Sequence, residues 1–307
     1  MKEDTNLPTT LVNKLVIAIS SRALFDLVES NQVYEERGLE EYAKYQIEHE
    51  DNQIDRGVAF PLIKKLLDLR YPGTGENAVE IILVSKNDPN TGLRVFNSIE
   101  QYALNITRAA FTNGRSPYEY LSAFKVDLFL SANPDDVRLA LDHGHASATI
   151  YTGLQVVDDE TDEIRIAFDG DAVIFSDEAE RVYQERGLEE FKRHEVEKSD
   201  IPLPPGPFKP FLEALNNIQR AYSDHPNKPI RTALVTARSA PAHKRAIKTL
   251  RAWGIGVDEA FFLGGWDKAP ILEKFRPHIF FDDQQTYCQN AARYVPTGHV
   301  PSGIKNL

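Results

Sequence analysis

The chain has 307 residues, of which 42% are hydrophobic and 26% charged, and its formal net charge is -11. This charge disfavours a nucleic-acid backbone or an anionic membrane as the main partner. Cys288 is the single cysteine, which excludes an intrachain disulfide and a cysteine-rich zinc site and is typical of a reducing cytosol. Because the sequence has neither an apolar leader nor about 20 consecutive apolar residues, we expect a cytoplasmic protein without a membrane span.

Local patterns predict strands alternating with helices. In the first half, we expect strands at 14–19, 81–84, 109–111, 126–130 and 148–151, and helices at about 34–50, 60–70, 93–102, 117–124 and 135–143. In the second half, we expect strands at 165–168, 232–235 and 278–281 and helices at 208–221 and 243–253, with a stiff proline-rich connector at 201–207. Alternation of this kind predicts an α/β fold with parallel sheets covered by helices on both faces.

The chain contains an internal repeat. The ten residues from Val33 recur from Val182 with eight identities, 149 residues later. The same offset aligns 17–23 with 166–172, and after a slip of two residues it aligns 83–85 with 234–236. We therefore predict two tandem copies of one unit. The acidic stretch 157–163 is the expected boundary, which gives domains at 1–156 and 157–307.

Four polar groups of the second copy end a predicted strand or begin a predicted helix. Asp169 and Asp171 follow a buried strand, Thr236 ends the next strand, Lys268 precedes a helix, and Asp282 and Asp283 end a further strand. In a parallel sheet these side chains can meet at one edge. Each alone has an ordinary structural explanation, such as a helix cap or a solvated charge, but their order favours a common site.

The residue types in this set predict phosphoryl transfer. Crowded carboxylates without histidine or cysteine favour Mg²⁺ over zinc. One carboxylate can attack phosphorus, its neighbour two residues on can transfer protons, and a hydroxyl and an ammonium can stabilise the phosphoryl oxygens.

The motifs Asp169-Gly-Asp171, Thr236, Lys268 and Asp282-Asp283 resemble those of the haloacid-dehalogenase-like (HAD) phosphatase superfamily. The strings VYEERGLEEY, GLRVFNSI, RSPYEYL, VTARSA and RPHIFFDDQ are similar to the cytosolic 5'-nucleotidase type I family, over about residues 14–300. The resemblance implies tandem HAD-like Rossmannoid units, Mg²⁺-dependent hydrolysis of nucleoside 5'-monophosphates, commonly AMP, and assembly into homo-oligomers.

The resemblance also implies a role for each motif residue. Asp169 would be the nucleophile and a metal ligand, and Asp171 the general acid and base, with its carbonyl on the metal. Thr236 would bind the phosphoryl group and Lys268 would neutralise it. Asp282 and Asp283 would complete the metal shell.

The first copy lacks this machinery. The register places Ser20 and Arg22 where the second copy has Asp169 and Asp171, and Ser131 and Ala132 at the later acidic pair. We interpret this copy as catalytically degenerate: either a purely structural half, or a lid and recognition wall that contacts substrate through Ser20, Arg22 and Asn87. In the second copy, Arg238 is a further substrate-binding candidate, with a helix cap or a salt bridge as the alternative.

Two other functions stay open at this stage. The superfamily motifs also fit a phosphatase for sugar phosphates or another small phosphomonoester. A non-catalytic nucleotide sensor is the third candidate, although a pure binder has no use for a nucleophile and its acid.

Overall fold

The computed structural model describes residue 11 and residues 14–154 and 161–306. The predicted boundary between 156 and 157 lies outside the described residues. We call residues 14–154 the first unit and 161–306 the second unit. No described helix combines the length and the apolar character needed to cross a membrane.

The first unit alternates strands and helices as predicted. Its strands are β1 Leu15–Ser20, β2 Val79–Ser85, β3 Arg108–Phe111, β4 Leu128–Ser131 and β5 Ser147–Ile150. Its helices are α1 Ser21–Leu24, α2 Val28–Glu48, α3 Phe60–Leu67, α4 Leu93–Gln101, α5 Tyr118–Leu121 and α6 Pro134–Asp142. The helix expected at 117–124 is a single turn, because Lys125 adopts a positive φ and the chain then enters β4.

The second unit repeats the same order. Its strands are β6 Ile164–Phe168, β7 Ile230–Thr236, β8 Glu259–Phe262, β9 Ile279–Asp282 and β10 Thr297–His299. Its helices are α7 Glu178–Glu197, α8 Lys209–Ala221, α9 His243–Trp253, α10 Ala269–Phe275 and α11 Gln285–Ala291, followed by a 3₁₀ turn at Ile304–Asn306.

All ten described strands form one continuous sheet. Their order is β3-β2-β1-β4-β5-β10-β9-β6-β7-β8. Every neighbouring pair is parallel except β5 and β10, which pair antiparallel where the two units meet. The strands of one unit therefore run opposite to those of the other. As a consequence, the carboxyl ends of the two sets of strands lie on opposite edges of the sheet.

The core is built by alternation along the strands. In β1, Ile17 and Ile19 belong to a cluster that continues through both units, whereas Val16 and Ala18 pack into a separate cluster on the other face. Such burial stabilises the fold by about 1.5–3 kcal/mol for each large apolar side chain. In the second unit, Phe168 of β6 stacks on Phe281 of β9 with ring centroids 5.7 Å apart. This contact fixes the two strands directly below the acidic motifs.

The repeated ten-residue segment forms a bent helical hairpin in each unit. Gly38 interrupts α2 with φ 83° and ψ -176°, and Gly187 interrupts α7 with φ 80° and ψ 179°. Only glycine adopts this backbone region without substantial strain. The repeat therefore encodes a bend, and the two halves of each helix can close over the adjacent sheet edge.

Candidate active site

The acidic motifs meet at the carboxyl edge of the second unit. Asp169 directly follows β6 and Asp282 ends β9, and these strands are parallel neighbours. The Asp169 amide donates to the Phe281 carbonyl at 2.8 Å, which brings the two carboxylates side by side. Carboxylate oxygens of Asp169, Asp282 and Asp283 all lie within 4.8 Å of one another, and all three residues are buried. We call these three residues the carboxylate cluster.

Lys268 supplies the ammonium of the site. It is the N-cap residue of α10, and its Nζ donates to Asp169 Oδ1 and to Asp282 Oδ2, each at 2.6 Å. Its side chain is 2% exposed, and burial alone would lower its pKa. The two carboxylates outweigh this effect and raise the pKa of Lys268, so the group stays charged.

The carboxylate cluster carries more negative charge than one ammonium can balance. Burial raises the pKa of Asp169 to about 7, with Lys268 acting in the opposite direction and Asp282 reinforcing the increase. Burial raises the pKa of Asp283 to about 9, with further increases from Asp169 and Asp282. Asp283 Oδ1 is buried and has no hydrogen-bond partner among the described residues. An unpaired buried oxygen beside two carboxylates fits a hard divalent cation.

Thr236 lies beside the first acidic motif. It ends β7, which pairs with β6, and its hydroxyl accepts the Arg238 amide at 3.2 Å. A Cβ added at Gly170 would lie 3.2 Å from Thr236 Oγ1, so the hydroxyl stands directly against the turn. The sequence therefore places a small hydroxyl next to the peptide that joins the two aspartates.

Asp171 is held apart from the carboxylate cluster by a paired arginine. Arg238 donates to both Asp171 oxygens, at 2.7 and 2.8 Å. Its remaining nitrogen contacts Glu195 of α7, and Glu195 in turn accepts from Arg245 at 2.9 Å. Arg238 thus takes the salt-bridge alternative from the sequence analysis. The chain of charges links the sheet edge to the bent helix above it.

Ser20, Arg22 and Asn87 do not join the carboxylate cluster. They line a cavity at the carboxyl ends of the first unit's strands, on the opposite edge of the sheet. Within one chain, the first unit therefore does not place these residues over Asp169. The sequence analysis missed this separation because the antiparallel pairing of β5 with β10 leaves no periodic signal.

The first unit reaches the second unit's site through α6 instead. Arg138 donates to the Asn306 carbonyl at 2.8 Å, and Asn306 Nδ2 donates to the Asp283 carbonyl at 2.9 Å. Ile304 also donates its amide to Asp177 at 2.8 Å, at the start of α7. The segment after β10 thereby braces the last acidic motif and the bent helix.

Sequence reasoning also passed over the aromatic pair on each bent helix. Tyr183 and Phe191 meet edge to face with centroids 6.3 Å apart, and Tyr34 and Tyr42 do the same at 5.9 Å. These residues stand at equivalent places in the repeated segment. Their recurrence in the repeat was the signal that could have identified them as candidate functional residues.

The fold and the site define an α/β protein of HAD type, with a buried acidic cluster and a lysine at one sheet edge. A sequence profile described as 5'-nucleotidase matches residues 7–307, and the chain belongs to this family. It is similar to human cytosolic 5'-nucleotidase 1B, with 41% identity over 292 residues that cover 92% of this chain and 48% of the human protein. The chain thus spans about half the length of this curated relative. No solved structure is significantly similar to it.

Proposed function

We propose that the chain is a Mg²⁺-dependent 5'-nucleotidase that hydrolyses nucleoside 5'-monophosphates, AMP among them, to nucleoside and phosphate. The observation that carries this proposal is the convergence of the carboxylate cluster with Lys268 at one sheet edge. Membership of the 5'-nucleotidase family supports the substrate class.

The carboxylate cluster would hold the metal, together with the backbone carbonyl of Asp171. The donor set is entirely oxygen, and the unpaired Oδ1 of Asp283 offers a ligand atom that nothing else described occupies. The ion would supply positive charge for the phosphoryl oxygens.

Asp169 is the proposed nucleophile. Its carboxylate attacks phosphorus, the bond to the 5'-oxygen breaks, and an aspartyl phosphate remains on the enzyme. Lys268 fixes the orientation of this carboxylate through the 2.6 Å contact with Oδ1, which leaves Oδ2 for attack or for the metal. Thr236 would donate its hydroxyl proton to a phosphoryl oxygen.

Asp171 is the proposed proton carrier. It protonates the departing 5'-oxygen, then takes a proton from the water that attacks phosphorus and frees Asp169. Arg238 binds both Asp171 oxygens, which orients the carboxylate and leaves its remaining lone pairs for each transfer. The bidentate pair therefore sets the resting position of the acid.

The bent helix α7 is the proposed cover of the site. Its aromatic pair, Tyr183 and Phe191, offers surfaces on which a nucleobase can stack. Tyr183 is 46% exposed, so its ring is accessible to a ligand.

Phosphate release from a panel of phosphomonoesters tests the proposal, with and without Mg²⁺. We expect hydrolysis of AMP that needs the metal and disappears in Asp169→Asn, while Asp224→Asn, a change at an exposed aspartate, retains it. Faster turnover of sugar phosphates than of any nucleotide would identify a phosphatase of another specificity. Folded, metal-loaded protein without any turnover would indicate a nucleotide sensor.

A further inference from the structure

The first unit contains a cavity at the sheet edge opposite the carboxylate cluster. Its volume is about 430 Å³, within the range of small-molecule sites. Its floor carries hydroxyl groups from the ends of three strands and the start of α1, and its cover is the bent helix α2. The hydroxyls belong to Ser20, Ser21, Ser85 and Ser131.

The cavity occupies the place of the catalytic site in the repeat, but other groups stand at the motif positions. Its lining also includes Asp88 and Asp136, and Lys86 contacts Asp136 at 2.8 Å. The register aligns Ser20 with Asp169 and Ser131 with Asp282, so hydroxyls replace two carboxylates. It aligns Arg22 with Asp171, so a cation replaces the acid. These groups cannot hold a divalent cation, but hydroxyls and a guanidinium can bind a phosphate directly.

Arg22 is available to a ligand. In the second unit the residue at this place is neutralised by Arg238, but the register puts Asn87 at the position of Arg238. Arg22 is exposed and makes no ion pair within the part of the chain that the structure describes. Asn87, unlike an arginine, does not repel Arg22. The Arg22 guanidinium at the cavity wall is therefore available to an anion.

The buried groups behind the cavity differ, as a set, from the groups at the matching positions of the second unit. The second unit links Arg238, Glu195 and Arg245 by charge, whereas the first unit has Asn87, Gln46 and Arg94 at the matching positions. Tyr42 stands where the second unit has Phe191, and its hydroxyl donates to Asn87 Oδ1 at 3.1 Å. Asn87 Nδ2 is buried without a hydrogen-bond partner among the described residues. The first unit has thus lost the carboxylate and one arginine of the ionic network while keeping Arg94, and the cavity has not been filled by apolar side chains.

We propose that this cavity binds a nucleoside phosphate intact, with the phosphate on Arg22 and the serine hydroxyls and the base against Tyr34. Tyr34 is 50% exposed and pairs with Tyr42 in the geometry of the second unit's aromatic pair. The choice of a nucleoside phosphate over another phosphate ester rests on the proposed function, through the equivalence of the two aromatic pairs. Ser20 and Arg22 stand at the positions of the proposed nucleophile and acid, which explains why the ligand is not hydrolysed there.

Equilibrium dialysis of AMP against the full chain in EDTA tests the inference. Chelation prevents turnover and leaves the second unit's carboxylates with Lys268 as their only described cationic contact, which disfavours phosphate at that edge. We expect one AMP bound per chain, with affinity lowered about tenfold or more in Arg22→Ala. Arg37→Ala, a change at an exposed arginine of the same helix cover, should bind as the wild type does. Tyr34→Ala should weaken AMP more than ribose 5-phosphate.

The possible outcomes test this inference separately from the proposed enzymatic function. Binding that is unchanged in Arg22→Ala would overturn the inference, since AMP would then occupy another site, such as the second unit. A folded wild type that binds no AMP in EDTA would overturn it as well. Arg22-dependent binding together with no hydrolysis under Mg²⁺ would support this site while the proposed enzyme fails.

Discussion

Replacing Lys268 by methionine tests how strongly its ammonium stabilises the carboxylate cluster. The substitution keeps an unbranched side chain, one heavy atom shorter, and removes its charge, leaving Asp169 and Asp282 buried without the partner that contacts both at 2.6 Å. Removing one member of a buried ion pair costs about 3–5 kcal/mol. A folded domain has only about 5–15 kcal/mol of stability in total, so the loss should be plain in metal-free protein.

The pH dependence of this loss identifies its cause. Without the ammonium, the cluster can relieve its repulsion only by keeping protons, and protons become scarcer as the pH rises. The cost of Lys268→Met should therefore be larger at pH 9 than at pH 6. Mg²⁺ should restore part of the stability, because a divalent cation also neutralises the carboxylates.

Urea unfolding in EDTA, at several pH values, measures the effect. Lys274→Met is the matched control, since Lys274 lies exposed on the same helix α10. The reasoning is refuted if Lys268→Met loses less than about 1 kcal/mol of unfolding free energy, or loses the same amount at every pH.

Three further predictions follow from the site and its cover. Asp171→Asn should lower the turnover of AMP by about 10²–10⁴-fold, yet act less on an aryl phosphate whose leaving group needs no proton; equal losses for both esters would contradict the acid role. The raised pKa values of Asp169 and Asp283 mean that the folded, metal-free protein binds more protons than the unfolded chain, so its stability should fall as pH rises from about 4 to about 9. Asp283→Asn should flatten the upper part of that curve, and an unchanged curve would show that Asp283 is ionised throughout. Gly187→Ala should cost about 1–3 kcal/mol in urea unfolding, because alanine is strained at φ 80° and ψ 179°; a neutral result would show that α7 does not need its bend.

The sequence predicted the convergence of the motifs because parallel strands expose their carboxyl ends together. Asp169 and Asp282 follow strands with clear apolar runs, and the repeat fixed which strands of the two units correspond. Lys268 is positioned by a helix and not by a strand, since its place before α10 brings it to the same edge.

The relation of the two units could not be predicted in this way. It depends on β5 and β10, which have four and three residues and pair through only two registered positions. Such short strands carry no pattern that selects a partner or a direction. For the same reason, the sequence did not predict that Arg22 and the carboxylates lie on opposite edges of the sheet. The pairing of Arg238 with Asp171 was also open, because an arginine near a phosphate site can bind substrate or a neighbouring acid.

The antiparallel seam gives a single polypeptide the internal symmetry of a homodimer. Two identical ancestors, each adding its terminal strand to the other, would build the same ten-stranded arrangement with an isologous contact and no open strand edge at the middle. Joining them covalently keeps that contact while releasing the copies from having to be alike. One copy could then lose its acidic residues while the assembly persists, because its edge strand still pairs with the edge strand of the other copy.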